Sequence, residues 1–325
     1  MQNDSKSQNH HSRILVVDDV KQNLELLEAH LISEGYQVDT AGSGHEALEM
    51  VHKNAPDLIL LDIQMPGING YQACEKLKGD GNTRLIPIIM ITALREVEDK
   101  IKAIEAGADD FITKPFNKLE VLARVRSLLK VKYLNDQLDT AENVIFALAQ
   151  AIESKDKYTE GHIERVSQYS MELADILDLS GTDREAIYKG GQLHDMGKLI
   201  LDDAIINKPG RLTPEEFEMV KQHPLMGYKI CHPLKSVRNA LPVIRWHHEK
   251  LDGSGYPDGL KGDEIPIAVR IMAIVDVYDA LTTKRSYKDA FSPLQAFHIL
   301  EEEVAKGWWD GELVTKFKEI KVKGT

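Results

Sequence analysis

The N-terminal part of the chain alternates short apolar runs with segments of helical periodicity. From Arg13 onward the apolar runs are Ile14–Val17, Leu58–Leu61, Ile86–Ile91 and Phe111–Ile112. Continuous apolar runs of this length are typical of strands that are buried on both faces of a parallel sheet. Their alternation with helices predicts a doubly wound α/β domain, with functional residues at the carboxyl ends of the strands.

Polar or charged residues follow each of these runs. In chain order they are Asp18 and Asp19, Asp62, Thr92 and Lys114. Carboxylate oxygens are the ligands that Mg²⁺ prefers, and a carboxylate can accept a phosphoryl group as a nucleophile. Together with a lysine and a hydroxyl, the three carboxylates predict a phosphorylation site.

The stretches LVVDD, LILLDIQMPGING, ITAL and GADDFITKPF, which carry these residues, closely resemble the response-regulator receiver family. The resemblance implies a five-stranded parallel receiver domain over residues 13–128 and a cognate sensor histidine kinase as partner. It implies that Asp62 is the phosphoacceptor and that Asp18 and Asp19 hold Mg²⁺. The remaining implied roles are the binding of phosphoryl oxygens and an aromatic switch, for which the residues are Thr92, Lys114 and Phe111.

A 3,4-spaced apolar repeat follows the receiver-like region. Its members are Val131, Leu134, Leu138, Ala141, Ile145, Leu148 and Ile152, and no Pro or Gly interrupts residues 117–160. The pattern predicts a long helix, with residues 129–143 as a connector between two domains. Its apolar stripe packs either on the same helix of a second subunit, giving a homodimer, or on the second domain of its own chain.

Residues 144–325 lack the alternation of strands and helices and are predicted to be mostly helical. His162 and Arg165 are three residues apart, and His194 and Lys198 are four apart, so each pair is expected to share a helix face. A Gly/Pro-rich loop follows the pair His247-His248.

Histidines and aspartates recur through this second region. They are His162, His194, Asp195, His223, His247, His248 and Asp276. Imidazole and carboxylate without thiolate suit Fe, Mn, Ni or Zn, and one carboxylate can bridge two cations. Two divalent ions about 3.5–4 Å apart can activate a water molecule and clamp a phosphodiester for in-line attack. No single helix offers all these ligands, so several packed helices must converge on a dinuclear site in the core of a bundle. The set predicts a phosphohydrolase.

The segments YTEGHIERV, LHDMGK, QHPLMGY, HHEKLDGSGYPDGLKGDEIP and DVYDALTTKRSY are similar to those of the HD-GYP family, a branch of the HD-domain phosphohydrolases. The resemblance implies two metals, with Fe or Mn favoured over Ni or Zn. It implies one metal held by His162, His194, Asp195 and Asp276, and a second held by Asp195, His223, His247 and His248. The substrate it implies is cyclic di-GMP, which would be hydrolysed to pGpG or GMP under the control of Asp62 phosphorylation.

Other residues of this region are candidates for binding the substrate. Lys198 is expected to contact the phosphate and to protonate the leaving group, and Asp195 and Lys198 are the candidate catalytic residues. Arg285 and Lys288 are candidate clamps for the second phosphate, because cationic side chains bind phosphate oxygens.

The loop that contains the Gly-Tyr-Pro sequence offers a further contact. Within it, Gly255 lets the backbone approach a ligand, and Tyr256 either stacks on a guanine or anchors the loop. Arg165 and Glu249 are interpreted as ion-pair partners or as residues that orient the metal ligands.

Two alternatives to the cyclic di-GMP phosphodiesterase stay open. One is a signalling module that binds a cyclic dinucleotide or a partner protein without hydrolysis. The other is a phosphohydrolase that acts on another cyclic nucleotide. The intact set of histidines and aspartates favours an enzyme.

Composition bears on three further points: binding to DNA, the cellular compartment and association with a membrane. A formal net charge of −12 disfavours binding to DNA through a broad basic surface. The two cysteines form no paired motif, which indicates a reducing cytoplasm. No apolar run approaches the roughly 18 residues that a membrane span needs, so no membrane association is expected. The polar residues 1–12 lack the apolar core of a signal peptide and are predicted to be a disordered tail.

Overall fold

The computed structural model describes residues 12–93, 97–155, 161–284 and 290–323, with the side chains of 97–100 and 323 left out. The chain divides into two compact units, and the boundary between them falls between Asp139 and Thr140. Each unit has hydrophobic cores of its own. The predicted tail lies mostly outside the described residues.

The first unit is built on a five-stranded parallel sheet with the strand order β2-β1-β3-β4-β5. The strands are β1 (Arg13–Val17), β2 (Gln37–Ala41), β3 (Leu58–Asp62), β4 (Ile88–Thr92) and β5 (Asp110–Thr113). All residues of β3 and β4 are buried, as their apolar runs predict. The predicted doubly wound, five-stranded α/β fold is confirmed.

Helices cover both faces of this sheet. They are α1 (Lys21–Ile32), α2 (Gly44–Lys53), α3 (Gly70–Gly79), α4 (Val97–Glu105) and the first part of α5 (Lys118–Glu153). Successive residues of a strand point to opposite faces, so Ile14 packs with α1 and α5, and Leu15 packs with α2, α3 and α4. Gly70 lets α3 approach the end of β3, because a Cβ at this position would lie 2.3 Å from the carbonyl oxygen of Asp62.

Helix α5 is 36 residues long, which confirms the predicted long helix. Its apolar repeat is divided between two environments. Val131, Leu134 and Leu138 are 53%, 49% and 56% exposed, whereas Ile145 and Ile152 pack into a core of the second unit. Leu148, between these two, is 55% exposed, so the helix leaves the first three members of its predicted stripe and Leu148 largely uncovered.

The second unit is mostly helical in its described residues, as predicted. Its α-helices are α6 (His162–Ile176), α7 (Gly181–Leu193), α8 (Asp203–Ile206), α9 (Pro214–Val220), α10 (His223–Cys231), α11 (Leu241–Trp246), α12 (Ile267–Thr282), α13 (Pro293–Ala305) and α14 (Gly311–Lys323). Short 3₁₀ helices span Met196–Ile200, Lys235–Ala240 and Gly262–Glu264. Helix α12 is the most apolar and lies in the main core, against α6, α7 and α13. Across the described part of the chain, no helix is both long and apolar enough to cross a membrane.

Candidate functional site

Three carboxylates of the first unit converge at the carboxyl ends of neighbouring strands. Asp18 follows β1, and Asp62 is the last residue of the adjacent β3. One oxygen from each of these residues and from Asp19 lie within 4.8 Å of one another, so the group could hold a cation. Asp18 and Asp62 are almost fully buried, while Asp19 is exposed.

A lysine from another strand end neutralises part of this charge. The Nζ atom of Lys114, directly after β5, lies 2.8 Å from Asp18 Oδ2 and 2.8 Å from Asp62 Oδ1. Burial raises the pKa of the Asp62 carboxyl, and the contact with Lys114 opposes that rise. Asn23, which sequence analysis missed, donates from Nδ2 to both oxygens of Asp18 at 3.0 and 2.9 Å. This amide on α1 orients the carboxylate.

The two other residues predicted for this site lie on the same sheet. Thr92 ends β4 and is 2% exposed, and its carbonyl oxygen accepts from the backbone N–H of Lys114 at 2.6 Å. Phe111, in β5, packs on the core under α2–α4, with the guanidinium carbon of Arg124 5.9 Å from its ring. All the predicted receiver residues therefore lie on β1, β3, β4 and β5 or just after them.

In the second unit the predicted metal ligands gather in two groups of three. One group contains His162, His194 and Asp276, and the other contains His223, His247 and His248; within each group, one ligand atom per residue lies within 4.8 Å of the others. They come from separate helices or helix ends. His162 begins α6, His194 caps α7, Asp276 lies in α12, His223 begins α10, and the histidine pair follows α11.

Asp195 lies between the two groups and faces both. Its Oδ1 is 3.3 Å from Nε2 of His223, and its Oδ2 is 3.5 Å from Nε2 of His194 and 3.9 Å from Nε2 of His162. One oxygen toward each group is the arrangement that a carboxylate needs in order to bridge two cations.

The histidines turn one ring nitrogen toward the protein and the other toward the centre. The Nδ1 atoms of His194, His223 and His247 lie 2.7–3.0 Å from the backbone carbonyl oxygens of Gly191, Val220 and Ile244. A carbonyl oxygen only accepts, so each Nδ1 carries a proton and each Nε2 is left to face the centre.

The Nε2 atoms face one another at short distances. Nε2 of His162 is 3.3 Å from Nε2 of His194, and Nε2 of His223 is 3.1 Å from Nε2 of His247. Atoms that bind one cation at about 2.0–2.2 Å are separated by roughly these distances. The donor set therefore fits a metal ion in each group.

The protonation states agree with metal binding for the group around His223. Burial lowers the pKa of His223 to about 3 and that of His248 to about 4, and it lowers that of His247 well below its usual value. These rings are neutral, as metal ligands must be. At His162, burial acts to lower the pKa, but the contact with Asp279 and the nearby Asp276 and Asp195 raise it.

Asp279 holds His162 in place, a role that sequence analysis did not assign. Its Oδ2 lies 2.8 Å from Nδ1 of His162, and its Oδ1 accepts from Nε of Arg165 at 2.6 Å. Arg165 is therefore an ion-pair partner, as predicted, and it acts on the carboxylate that orients a candidate ligand. The available signal was spacing, since Asp279 follows Asp276 by three residues on one helix.

The expectation that His194 and Lys198 share an α-helical face is wrong. Helix α7 ends at Leu193, and the backbone tightens into the 3₁₀ helix Met196–Ile200. Lys198 Nζ lies 2.6 Å from Asp195 Oδ2. Burial alone would raise the pKa of Asp195, but Lys198 and the surrounding imidazoles hold it well below its usual range.

The loop after the histidine pair is held by one buried carboxylate. Glu249 is 1% exposed and accepts from the backbone N–H groups of Asp258, Gly259 and Leu260 at 2.7–3.1 Å. The interpretation of Glu249 as an ion-pair partner is replaced by this anchoring role. Gly255 fits the loop against Glu249 and Lys250, because a Cβ there would lie 2.4 Å from the nitrogen of Lys250.

Tyr256 lies against the candidate metal centre. Its ring packs on that of His248 with a centroid distance of 4.8 Å and an interplanar angle of 34°. The predicted phosphate clamps Arg285 and Lys288 lie outside the described residues.

Comparison with known proteins agrees with this division into two parts. The family model of the response regulator receiver domain matches residues 14–126, and that of the HD domain matches residues 147–313. The chain is 35% identical to the cyclic di-GMP phosphodiesterase response regulator RpfG of Xanthomonas campestris pv. campestris, over 86% of this chain and 80% of that protein. It is 32% identical to a cyclic di-GMP phosphodiesterase of Thermotoga maritima, over 94% of this chain and 90% of that protein.

A third relative has a different substrate in its name. The chain is 36% identical to a 3′3′-cGAMP-specific phosphodiesterase of Vibrio cholerae, over 63% of this chain and 41% of that protein.

Proposed function

The chain belongs to the response regulators that join a receiver domain to an HD-GYP phosphohydrolase domain, and on this premise we propose that it hydrolyses cyclic di-GMP. The product is pGpG, GMP or both. Relatives with this name match most of the chain, and the candidate site offers the ligands for the chemistry.

The observation that carries this proposal is the convergence of histidine lone pairs. In each group, two Nε2 atoms lie 3.1–3.3 Å apart. Two nitrogen lone pairs at this distance repel each other unless a cation or a proton lies between them. We assign one metal to His162, His194, Asp195 and Asp276 and a second to Asp195, His223, His247 and His248. Imidazole and carboxylate ligands suit Fe, Mn, Ni or Zn, and the resemblance to the HD-GYP family favours Fe or Mn.

We assign the catalytic roles to two residues of this centre, Asp195 and Lys198. When bound, the metals lower the pKa of a coordinated water and neutralise charge on the phosphate. Asp195 would be the ligand shared by the two metals, since one of its oxygens faces each group. To Lys198, whose Nζ lies 2.6 Å from Asp195 Oδ2, we assign the offsetting of charge on the phosphate and the protonation of the 3′ leaving oxygen.

The remaining substrate contacts are assigned to the loop and to a cationic segment. Tyr256 and Gly255 are assigned to the nucleotide, and the packing of Tyr256 on His248 supports its assignment. Arg285 and Lys288 are assigned to the second phosphate on the chemistry of their side chains alone.

Control of the enzyme is assigned to the receiver unit. A cognate sensor histidine kinase is proposed to phosphorylate Asp62, with Mg²⁺ bound by Asp18 and Asp19. Thr92 and Lys114 would bind the phosphoryl oxygens, and Phe111 would change its packing. The short contacts from Lys114 to both buried carboxylates support this assignment.

The domain limits and the location are also proposed. Residues 13–128 form the receiver domain, 129–143 the connector and 144–325 the HD-GYP domain. Cys74 and Cys231 are buried free thiols, which supports a reducing cytoplasm.

The first experiment measures hydrolysis of cyclic di-GMP by anaerobically purified, Mn²⁺-loaded protein, with products separated by chromatography. Asp195→Asn keeps the size of the side chain but removes the bridging charge, so we expect turnover to fall by at least about a hundredfold. Asp263→Asn, at a fully exposed carboxylate, is the matched control. Faster hydrolysis of 3′3′-cGAMP than of cyclic di-GMP would move the proposal to that substrate. Binding without turnover of either would point to a signalling module.

The same assay tests control by the receiver. Addition of Mg²⁺ and beryllofluoride, which mimics a phosphoryl group on a carboxylate, is expected to change turnover in the wild-type protein and not in Asp62→Asn. Equal turnover of the wild type with and without the mimic would contradict control of catalysis by phosphorylation.

A further inference from the structure

Helix α9 carries an aromatic side chain that is not used in a core. Phe217 is 44% exposed, and no residue of this helix is buried. Polar contacts hold the helix instead. Thr213 and Glu216 form a capping box at its start, and Lys208 lies 2.6 Å from Glu216. The ring of Phe217 is therefore available at the surface.

Two sets of contacts place this ring beside the candidate metal centre. The Phe217 ring meets the Tyr256 ring edge to face at 6.5 Å, and Tyr256 packs on His248 at 4.8 Å. The end of α9 is tied to a second candidate ligand, because Nδ1 of His223 donates to the carbonyl oxygen of Val220 at 2.7 Å. If the phosphate of a nucleotide substrate lies at the metal centre, one of its bases can reach Phe217 and Tyr256.

A cation completes this group. The Nζ atom of Lys221 lies 5.0 Å from the ring centroid of Phe217 and 5.9 Å from that of Tyr256, and it also pairs with Glu218 at 2.6 Å. An ammonium group donates hydrogen bonds and accepts none. It suits the O6 and N7 acceptors of guanine, whereas adenine presents an amino donor in place of O6.

We propose that Phe217, Lys221 and Tyr256, the Phe217 cluster, receive one guanine base of the substrate and determine base specificity. The rings of Phe217 and Tyr256 contact the base, and Lys221 donates to O6 and N7. Phe217 and Lys221 are thus specificity-determining residues that no motif of the sequence indicated. The inference rests on the proposed hydrolysis of a guanine cyclic dinucleotide.

The test of stacking compares Phe217→Ala with Met219→Ala, which removes a 45% exposed apolar side chain from the same helix. Stacking of a base on an aromatic ring contributes about 1–3 kcal/mol, so Phe217→Ala is expected to raise KM about tenfold and to change kcat less than twofold. The dissociation constant of a phosphorothioate analogue of cyclic di-GMP, measured by calorimetry, is expected to rise by the same factor. Phe217→Tyr should retain the wild-type values, as should Met219→Ala.

The test of base specificity uses Lys221→Met, with Lys229→Met as the control for loss of one charge. The ratio of kcat/KM for cyclic di-GMP to that for cyclic di-AMP is expected to fall about tenfold in Lys221→Met alone. Unchanged KM in Phe217→Ala, or an unchanged ratio in Lys221→Met, would overturn the assignment. Calorimetry separates this failure from failure of the proposed function, since binding of the analogue tests the cluster even in a protein without turnover.

Discussion

At the scale of single residues, the candidate metal centre depends on which nitrogen of each histidine carries the proton. Backbone carbonyls fix this for three histidines, but His162 is oriented by the carboxylate of Asp279. A carboxylate acceptor makes the ring a stronger ligand than a carbonyl does, and Arg165 holds that carboxylate in turn. The chain of contacts Arg165–Asp279–His162 should therefore tune the affinity for one metal.

Asp279→Asn is expected to lower the affinity for Mn²⁺ by about 10–100-fold, because the amide removes the charge that orients and polarises His162. Competition with a chelator measures this affinity without using catalysis. The exposed Asp263→Asn serves again as the control. An affinity equal to that of the wild type would show that Asp279 has a purely structural role.

The candidate metal ligands could be predicted from the sequence, whereas the groups that orient them and anchor the neighbouring loop could not. Asp195 and the histidines lie in short segments with recognisable spacing, so their convergence could be predicted. The carbonyl groups that bind Nδ1 are present in every residue and give no signal. Glu249 was noticed, but its three backbone donors come from positions 258–260, and only the fold of the loop brings them to it.

At the scale of elements, the turn from α7 into the 3₁₀ helix Met196–Ile200 brings Asp195 and Lys198 to the centre. Gly197 makes the turn possible. A Cβ at this position would lie 1.8 Å from the carbonyl oxygen of His223 and 2.6 Å from the nitrogen of Gly227. The absence of a side chain therefore lets the backbone of this turn touch α10, so that Asp195 reaches both groups of ligands.

Gly197→Ala is expected to destabilise the second unit by at least about 1–3 kcal/mol, because backbone atoms cannot move aside as a flexible side chain could. In a unit of this size, each kcal/mol of lost stability lowers Tm by about 2–4 °C. Circular dichroism on the metal-free protein measures this change in Tm. Gly181→Ala, where a Cβ would meet nothing within 4 Å, should leave Tm nearly unchanged. Equal Tm values for both variants would show that the turn tolerates a side chain.

Element boundaries were predictable where one physical signal dominated. The buried strands β3 and β4 are continuous apolar runs and were located directly. Strand β2, with the sequence QVDTA, lies at the sheet edge and has partly exposed residues, so it carries no such run. The tightening of the backbone after Leu193 was missed because a spacing of four residues fits an α-helix equally well.

At the scale of the whole molecule, the uncovered part of α5 supports the homodimer over packing of the whole stripe within one chain. Val131, Leu134 and Leu138 are about half exposed, at spacings of three and four residues. Such spacing forms the apolar seam of a two-stranded coiled coil. We propose that a second copy of α5 covers this segment.

Sedimentation velocity is expected to show a dimer for the wild type and a monomer for Leu138→Glu at the same concentration. Burial of a leucine contributes about 1.5–3 kcal/mol. Because the substitution removes the leucine from both subunits of a symmetric dimer, the dissociation constant should rise more than about a hundredfold. Thr140→Glu adds the same charge at an exposed position on the side of the helix away from the stripe. A monomeric wild type, or equal dissociation in both variants, would contradict the dimer.

The anchoring of the loop by Glu249 has a consequence for how such enzymes diverge. Glu249 is the next residue after His248, and its carboxylate binds the backbone of the loop through Asp258, Gly259 and Leu260. An insertion or deletion between positions 250 and 258 would separate the carboxylate of Glu249 from these three N–H groups and break the hydrogen bonds that hold the loop. We therefore expect that, among related enzymes that keep the histidine pair and this glutamate, the side chains of the loop vary more than its length does.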